Sequence, residues 1–170
     1  MKLLLLTLTL STLLLAKNHT LLTFSADFNQ SIQDEHNKTI TYLGHMQSKR
    51  PNLARWHYEK PVLKTLYVYE DVVTVIEPDL EQAIIKRLDK NIDIFKIMHS
   101  AKKIGNNSFE ANYNGQRFLL TYKKELLSTI TYSDELDNTV TIKFSNQKNN
   151  IDLNDTIFKA IIPEDFDVIR

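Results

Sequence analysis

Apolar and polar residues alternate through most of the chain. Leu22, Phe24, Ala26 and Phe28 are separated by Thr23, Ser25 and Asp27, the two-residue period of a strand with one apolar face. A polar turn over residues 33–38 leads to a second strand, 39–47, in which Gly44 marks a bulge or a close approach of backbone. Strands follow over 53–58, 63–69, 72–77 and 81–88, with bends at Lys60-Pro61, Glu70-Asp71 and Pro78-Asp79. Later strands are read over 108–113 and 116–123, joined by Asn114-Gly115, a strong two-residue hairpin signal, and over 126–133 and 139–145. Residues 152–160 read as a short helical turn, and 166–169 as a last strand.

One stretch has a different period. Ile92, Ile94, Phe95, Ile97, Met98 and Ala101 fall at three- and four-residue spacings, which predicts a helix over 91–103 with a broad apolar face. Lys102 and Lys103 suit its carboxyl end, and Gly105 stops it. Eleven strands and one strong helix describe a mainly β chain of α+β type. An antiparallel sheet of that size has to curl, which creates a concave face, and the helix is the natural plug or lid for it.

The corner before the third strand carries Ser48-Lys49-Arg50-Pro51-Asn52. Pro51 restrains Arg50 to extended backbone and removes one backbone donor. A guanidinium at the rim of an apolar sheet face needs carbonyls or carboxylates for its five donors. By itself, a Lys-Arg-Pro before a strand is an ordinary surface feature.

The amino terminus adds a destination. Lys2 and the apolar run to Ala16, about 14 residues against the roughly 20 of a bilayer crossing, read as a secretory signal peptide with cleavage after Ala16. Residues 17–170 then form one domain. No cysteine is present, which excludes disulfides and a lipid-modified amino-terminal cysteine, so the expected product is soluble and exported. Loss of Lys2 leaves 20 basic against 21 acidic side chains, a balance with no general field to attract nucleic acid. Asn18, Asn29, Asn37, Asn106 and Asn154, each in an Asn-x-Ser/Thr triplet, read as turn and cap residues.

Catalytic chemistry is sparse. The five histidines are scattered without an i, i+4 pair or cysteine ligands, which argues against a metal site. Neither a Gly-x-Ser-x-Gly elbow nor a phosphate-binding glycine loop is present, so no cofactor is expected. The chain reads as a binder, not an enzyme.

Phe24-Ser25-Ala26-Asp27-Phe28-Asn29-Gln30, Gly44, Lys49-Arg50-Pro51-Asn52-Leu53, Trp56, Pro61, Leu66, Pro78, Glu81-Gln82-Ala83, the Ile94 to Met98 segment, Phe158 and Pro163 follow one another in an order that resembles LolA, the periplasmic outer-membrane lipoprotein carrier family. The resemblance implies an incomplete, strongly curved antiparallel β-barrel of about eleven strands with a helical lid over an apolar cavity. It implies a monomeric periplasmic carrier that receives lipoprotein acyl chains from an inner-membrane lipoprotein-releasing ABC transporter and passes them to an outer-membrane acceptor. Arg50 falls on the family's latch position, expected to hydrogen-bond to backbone of the lid helix, with Met98 and His99 as the matching lid positions. Trp56, Leu66, Phe24, Phe28, Ile94, Ile97 and Met98 are the expected cargo contacts. Three positions depart from the family pattern: Ala54, Glu70 and Thr74 stand where a bulky aromatic, a glycine and a tryptophan are usual. Only residues 17–23 precede Phe24 after cleavage, so the helix the family carries there is expected to be very short or missing, unless part of Leu8 to Ala16 is retained. The alternative is a periplasmic binding or scaffold protein for another amphiphile.

Overall fold

In a computed structural model of the protein, residues 20–87 and 93–170 are described. The expected signal peptide, residue 88 of the sixth predicted strand and residues 91–92 of the predicted helix lie outside them. The strands are β1 (Thr23–Gln33), β2 (Thr39–Lys49), β3 (Leu53–Lys60), β4 (Lys64–Tyr69), β5 (Val72–Glu77) and β6 (Gln82–Arg87). After α1 (Ile94–Ser100), the one α-helix among the described residues, come β7 (Lys102–Lys103), β8 (Ser108–Tyr113), β9 (Gln116–Lys123), β10 (Leu126–Ser133), β11 (Thr139–Asn149) and β12 (Asp167–Ile169).

All twelve strands belong to one open sheet, in the order β12-β6-β5-β4-β3-β2-β1-β11-β10-β9-β8-β7. Neighbours are antiparallel except β12, which lies parallel to β6 with Val168 opposite Ala83. The sheet folds back on itself, because inward residues of β1, β2, β3, β9, β10 and β11 meet α1 in a common core. That core contains Phe24, Ala26, Phe28, Met46, Phe118 and Leu120. A smaller cluster of Leu53, Leu153 and Phe158 is built where a 3-10 turn, Asp155–Phe158, packs beside β3.

Gly44 is a close-approach point. A Cβ there would overlap the His57 carbonyl oxygen and lie 2.7 Å from the Phe28 ring, and the β2–β3 register shifts beside it. Asn114 and Gly115 both have positive φ, as a two-residue primed turn requires. The cap reading holds for Asn154, whose side chain accepts from Thr156 N at 3.0 Å, and the turn reading for Asn37 at φ 64°. Asn29 sits inside β1 instead.

The helix is shorter than its apolar spacing predicts. Asp93 caps its start, and Ala101 is already extended at φ −68°, ψ 128°. Lys102 and Lys103, expected to close the helix, pair as β7 with Glu110 and Phe109 of β8. The competing interaction is a sheet edge with free donors and acceptors, which is absent from a local reading of charge near a helix end. Gly105 instead belongs to the β7–β8 turn, where its N–H donates to the Ser108 carbonyl at 3.1 Å.

Candidate functional site

The concave face and α1 enclose a cavity of about 290 Å³. Alternation along the strands supplies its walls: Ala54, Trp56 and Tyr58 from β3, Leu66 and Val68 from β4, Met46 and Ser48 from β2. Phe118, Ile130 and Ile142 approach from the other limb of the sheet, and Ile94, Phe95 and Ile97 from α1. Of the remaining helix positions, Lys96, His99 and Ser100 are exposed and Met98 is partly buried. The lining is mainly apolar, as sites for apolar ligands are.

Four of the sequence-predicted contacts, Trp56, Leu66, Ile94 and Ile97, line this cavity together. Phe24 and Phe28 point to the same side of β1 but pack behind the wall. Phe24 meets the edge of Phe144 at 5.5 Å, and Phe28 is covered by Trp56 and Tyr58 at 5.2 and 5.0 Å between ring centroids. Met98 packs partly buried against the core and is not a cavity residue, because the helix turns Ile94, Phe95 and Ile97 inward. Met46, Tyr58, Phe118, Ile130 and Ile142 were not singled out as cargo contacts. Their period-two spacing marks an inward face, but only the curl of the sheet decides which inward residues reach the open space.

Arg50 precedes the lining residues Pro51 and Asn52 but is not itself part of the cavity lining. Its Nε donates to the carbonyl of Leu21 at 2.9 Å, its backbone N–H donates to Leu22 O at 3.0 Å, and its guanidinium lies 5.0 Å from the centroid of Phe95. The expected bonds to the helix backbone around Met98 and His99 are therefore replaced: among the described residues, Arg50 hydrogen-bonds to the segment before β1 and meets the helix through the Phe95 ring. That segment, residues 20–22, is irregular, and Asn150 Oδ1 accepts from Leu22 N at 2.7 Å on its other side.

One end of the cavity is polar. Tyr58 Oη donates to Gln30 Oε1 at 2.9 Å, and burial pushes the Tyr58 phenol far above its ordinary range. Tyr132, also raised chiefly by burial, lines the same end. Lys64 closes the corner over the rings of Tyr58 and Tyr42, at 4.8 and 5.3 Å.

A second polar group lies on the opposite face of the sheet. Ser25 Oγ is 2.9 Å from His45 Nε2, and His45 Nδ1 is 2.7 Å from Asp27 Oδ1. Asn146 Nδ2 donates to Asp27 Oδ2 at 2.6 Å, and this bond, with His45, holds the Asp27 carboxyl below its usual range. The order of groups is that of a nucleophile, a base and an orienting carboxylate. Ser25 is only 5% exposed and lies outside the cavity lining, so the chain ties β1, β2 and β11 together rather than presenting a hydroxyl to substrate.

Comparison with known proteins matches this geometry. The family model described as "Outer membrane lipoprotein carrier protein LolA" matches residues 19–103. An outer-membrane lipoprotein carrier protein of Campylobacter jejuni is 34% identical over 148 residues, covering 87% of this chain and 86% of that protein. One from Helicobacter pylori is 36% identical over 149 residues, covering 86% and 79%. Among solved structures, a LolA superfamily protein from Nitrosomonas europaea has the same fold at TM-score 0.52 and 12% identity, over 81% of this chain and 90% of that one. An uncharacterized conserved protein of Thermus thermophilus superposes with TM-score 0.53 at 13% identity, over 88% and 90%.

Proposed function

The chain belongs to the LolA family of outer-membrane lipoprotein carrier proteins, and from that premise we propose that it binds the acyl chains of lipoproteins released from the inner membrane and delivers them to the outer membrane. The observation that supports this most is the apolar cavity held between a curved open sheet and a two-turn helix. Each buried methylene contributes about 0.8 kcal/mol, so the several acyl chains of a lipoprotein do not leave a bilayer for water unaided. A carrier has to replace that burial and then give it up. The cavity as it stands is at the lower edge of ligand pockets, which begin at about 300 Å³. Chains that each reach through half of a roughly 30 Å hydrocarbon layer exceed it, so loading displaces α1.

In this reading residues 1–16 direct export, and the mature carrier works as a monomer in the periplasm without catalysing a reaction. As the family membership suggests, extraction in this reading is the work of an inner-membrane ABC transporter, and delivery is to an outer-membrane acceptor. The test is recovery of cargo. Protein purified from the periplasm under detergent-free conditions and extracted with organic solvent is expected to yield lipoprotein acyl chains by mass spectrometry. Recovery of a different amphiphile, or a protein that never carries lipid when lipoprotein release is blocked downstream, contradicts the proposal.

A further inference from the structure

The corner that carries Arg50 also carries Asn52, and Asn52 faces the first residue of the lid. Asp93 is 8% exposed and uses both carboxylate oxygens. Oδ1 accepts from the backbone N–H groups of Phe95 at 2.9 Å and Lys96 at 3.2 Å, which starts the helix. Oδ2 faces the Asn52 amide: in the orientation that satisfies that side chain, its nitrogen donates to Asp93 Oδ2 at 3.1 Å and to the Pro51 carbonyl at 2.5 Å. Lys96 Nζ, half exposed, stands 3.8 Å from the same oxygen. Asn52 and Asp93 both line the cavity.

A helix of seven residues does not persist in water on its own, so its position depends on what holds its ends and face. Its carboxyl end continues directly into β7, which is fixed to β8. At the amino-terminal end, the polar contact that joins the helix to the β2–β3 corner among the described residues runs through Asp93. We propose that the Asn52–Asp93 pair is the latch of the lid, and that the cavity opens by parting this pair while α1 swings about its junction with β7. This rests on the reading of α1 as a lid. Arg50, seated on the ring of Phe95 two residues after Asp93, cushions the same end without holding a backbone group of the helix.

The chain has no cysteine, so Ile97→Cys creates a single thiol at a position 1% exposed. Its rate of reaction with Ellman's reagent reports how often the lid lifts. Asn52→Ala removes the amide. Asp93→Ser keeps a helix cap, since serine caps as well as aspartate, but its shorter side chain does not reach Asn52. In the Ile97→Cys background each variant is expected to react about 10-fold faster than its parent, as loss of one charge-assisted hydrogen bond implies, and the double variant no faster than the singles. Asn52→Asp, which sets two carboxylates against each other, raises the rate at least as far. Urea unfolding of the same proteins separates lifting from global opening. Rates within twofold of the parent overturn the proposal, as do rates that rise only in step with lost global stability. No cargo enters this experiment, so its failure leaves the carrier reading intact, and failed lipoprotein transfer by a protein with the expected labelling pattern leaves the latch intact.

Discussion

Arg50 joins three parts of the molecule: the segment before β1 through Leu21 and Leu22, the β2–β3 corner, and the lid through Phe95. These contacts stabilise the closed, empty form. Only the Phe95 contact reaches the lid, and a cation over a ring contributes about 0.5 to 2 kcal/mol, so losing it shifts the ratio of closed to open protein roughly 2- to 30-fold. Arg50→Leu is expected to load lipoprotein normally but to release it poorly, because the emptied carrier has less to return to. Loading from donor membranes measured beside transfer to acceptor membranes checks this, and equal transfer by both proteins contradicts it. Tyr58 gives a second prediction. An unfolded tyrosine ionises near pH 10, whereas Tyr58 stays protonated well above that because it is buried. Its contribution to stability is complete below about pH 10 and is lost as the pH rises toward the folded-state value. Urea unfolding between pH 8 and 11 is expected to show a fall in stability that is shallower in Tyr58→Phe. At this scale the family resemblance, not the alternation, pointed to Trp56 and Leu66 as wall residues. It did not separate them from Phe28, because being covered by Trp56 and Tyr58 is a property of neighbouring strands, not of β1 itself.

Two hairpins share one loop design. In the loops after β1 and β10, an aspartate, Asp34 or Asp134, accepts through Oδ1 from the N–H groups two and four residues on, all at 2.8 to 2.9 Å. The fourth loop residue, Asn37 or Asp137, takes positive φ in both. Asp34→Ala and Asp134→Ala each leave two loop donors without this acceptor, and each is expected to cost about 1 kcal/mol of stability, measured by urea unfolding. Asn138, which donates to Asp134 through its side chain, holds that carboxyl below its usual range. The Asp134 contribution is therefore present above about pH 4 and lost as the pH falls through the lower folded-state value. Most elements were legible from period-two and turn signals, down to the limits of β5, β8, β9 and β10. The helix was legible in kind but not in length, since what ends it is pairing of Lys102 and Lys103 with β8. Pairing of β12 with β6 was equally hidden, because the partners lie far apart in the chain and parallel pairing has no local signature.

As a whole, the molecule is a single sheet that curls without closing, with a short helix laid over the opening. An open sheet leaves the walls free to spread while the strand ladders stay intact, and the core residues behind Trp56 and Tyr58 keep the limb of β1 to β3 rigid. The curvature and a helix covering the concave face could be anticipated from strand count and the one change of period, whereas its reading as a lid came from the family resemblance. The small volume of the closed cavity could not, because it depends on how far Ile94, Phe95 and Ile97 descend between the limbs. The central claim is that this space, once α1 lifts, houses lipoprotein acyl chains in transit. Its most direct measurement is transfer in a reconstituted system: donor vesicles carrying the lipoprotein-releasing transporter and a triacylated lipoprotein, the mature protein in solution, and acceptor outer-membrane vesicles. Wild type is expected to draw lipoprotein into a soluble complex and deposit it in the acceptor. Ile97→Glu, which places a carboxylate in the apolar lining, is expected to reduce capture at least 10-fold while remaining folded by circular dichroism. No soluble complex with wild type, or capture by Ile97→Glu equal to wild type, would contradict the account.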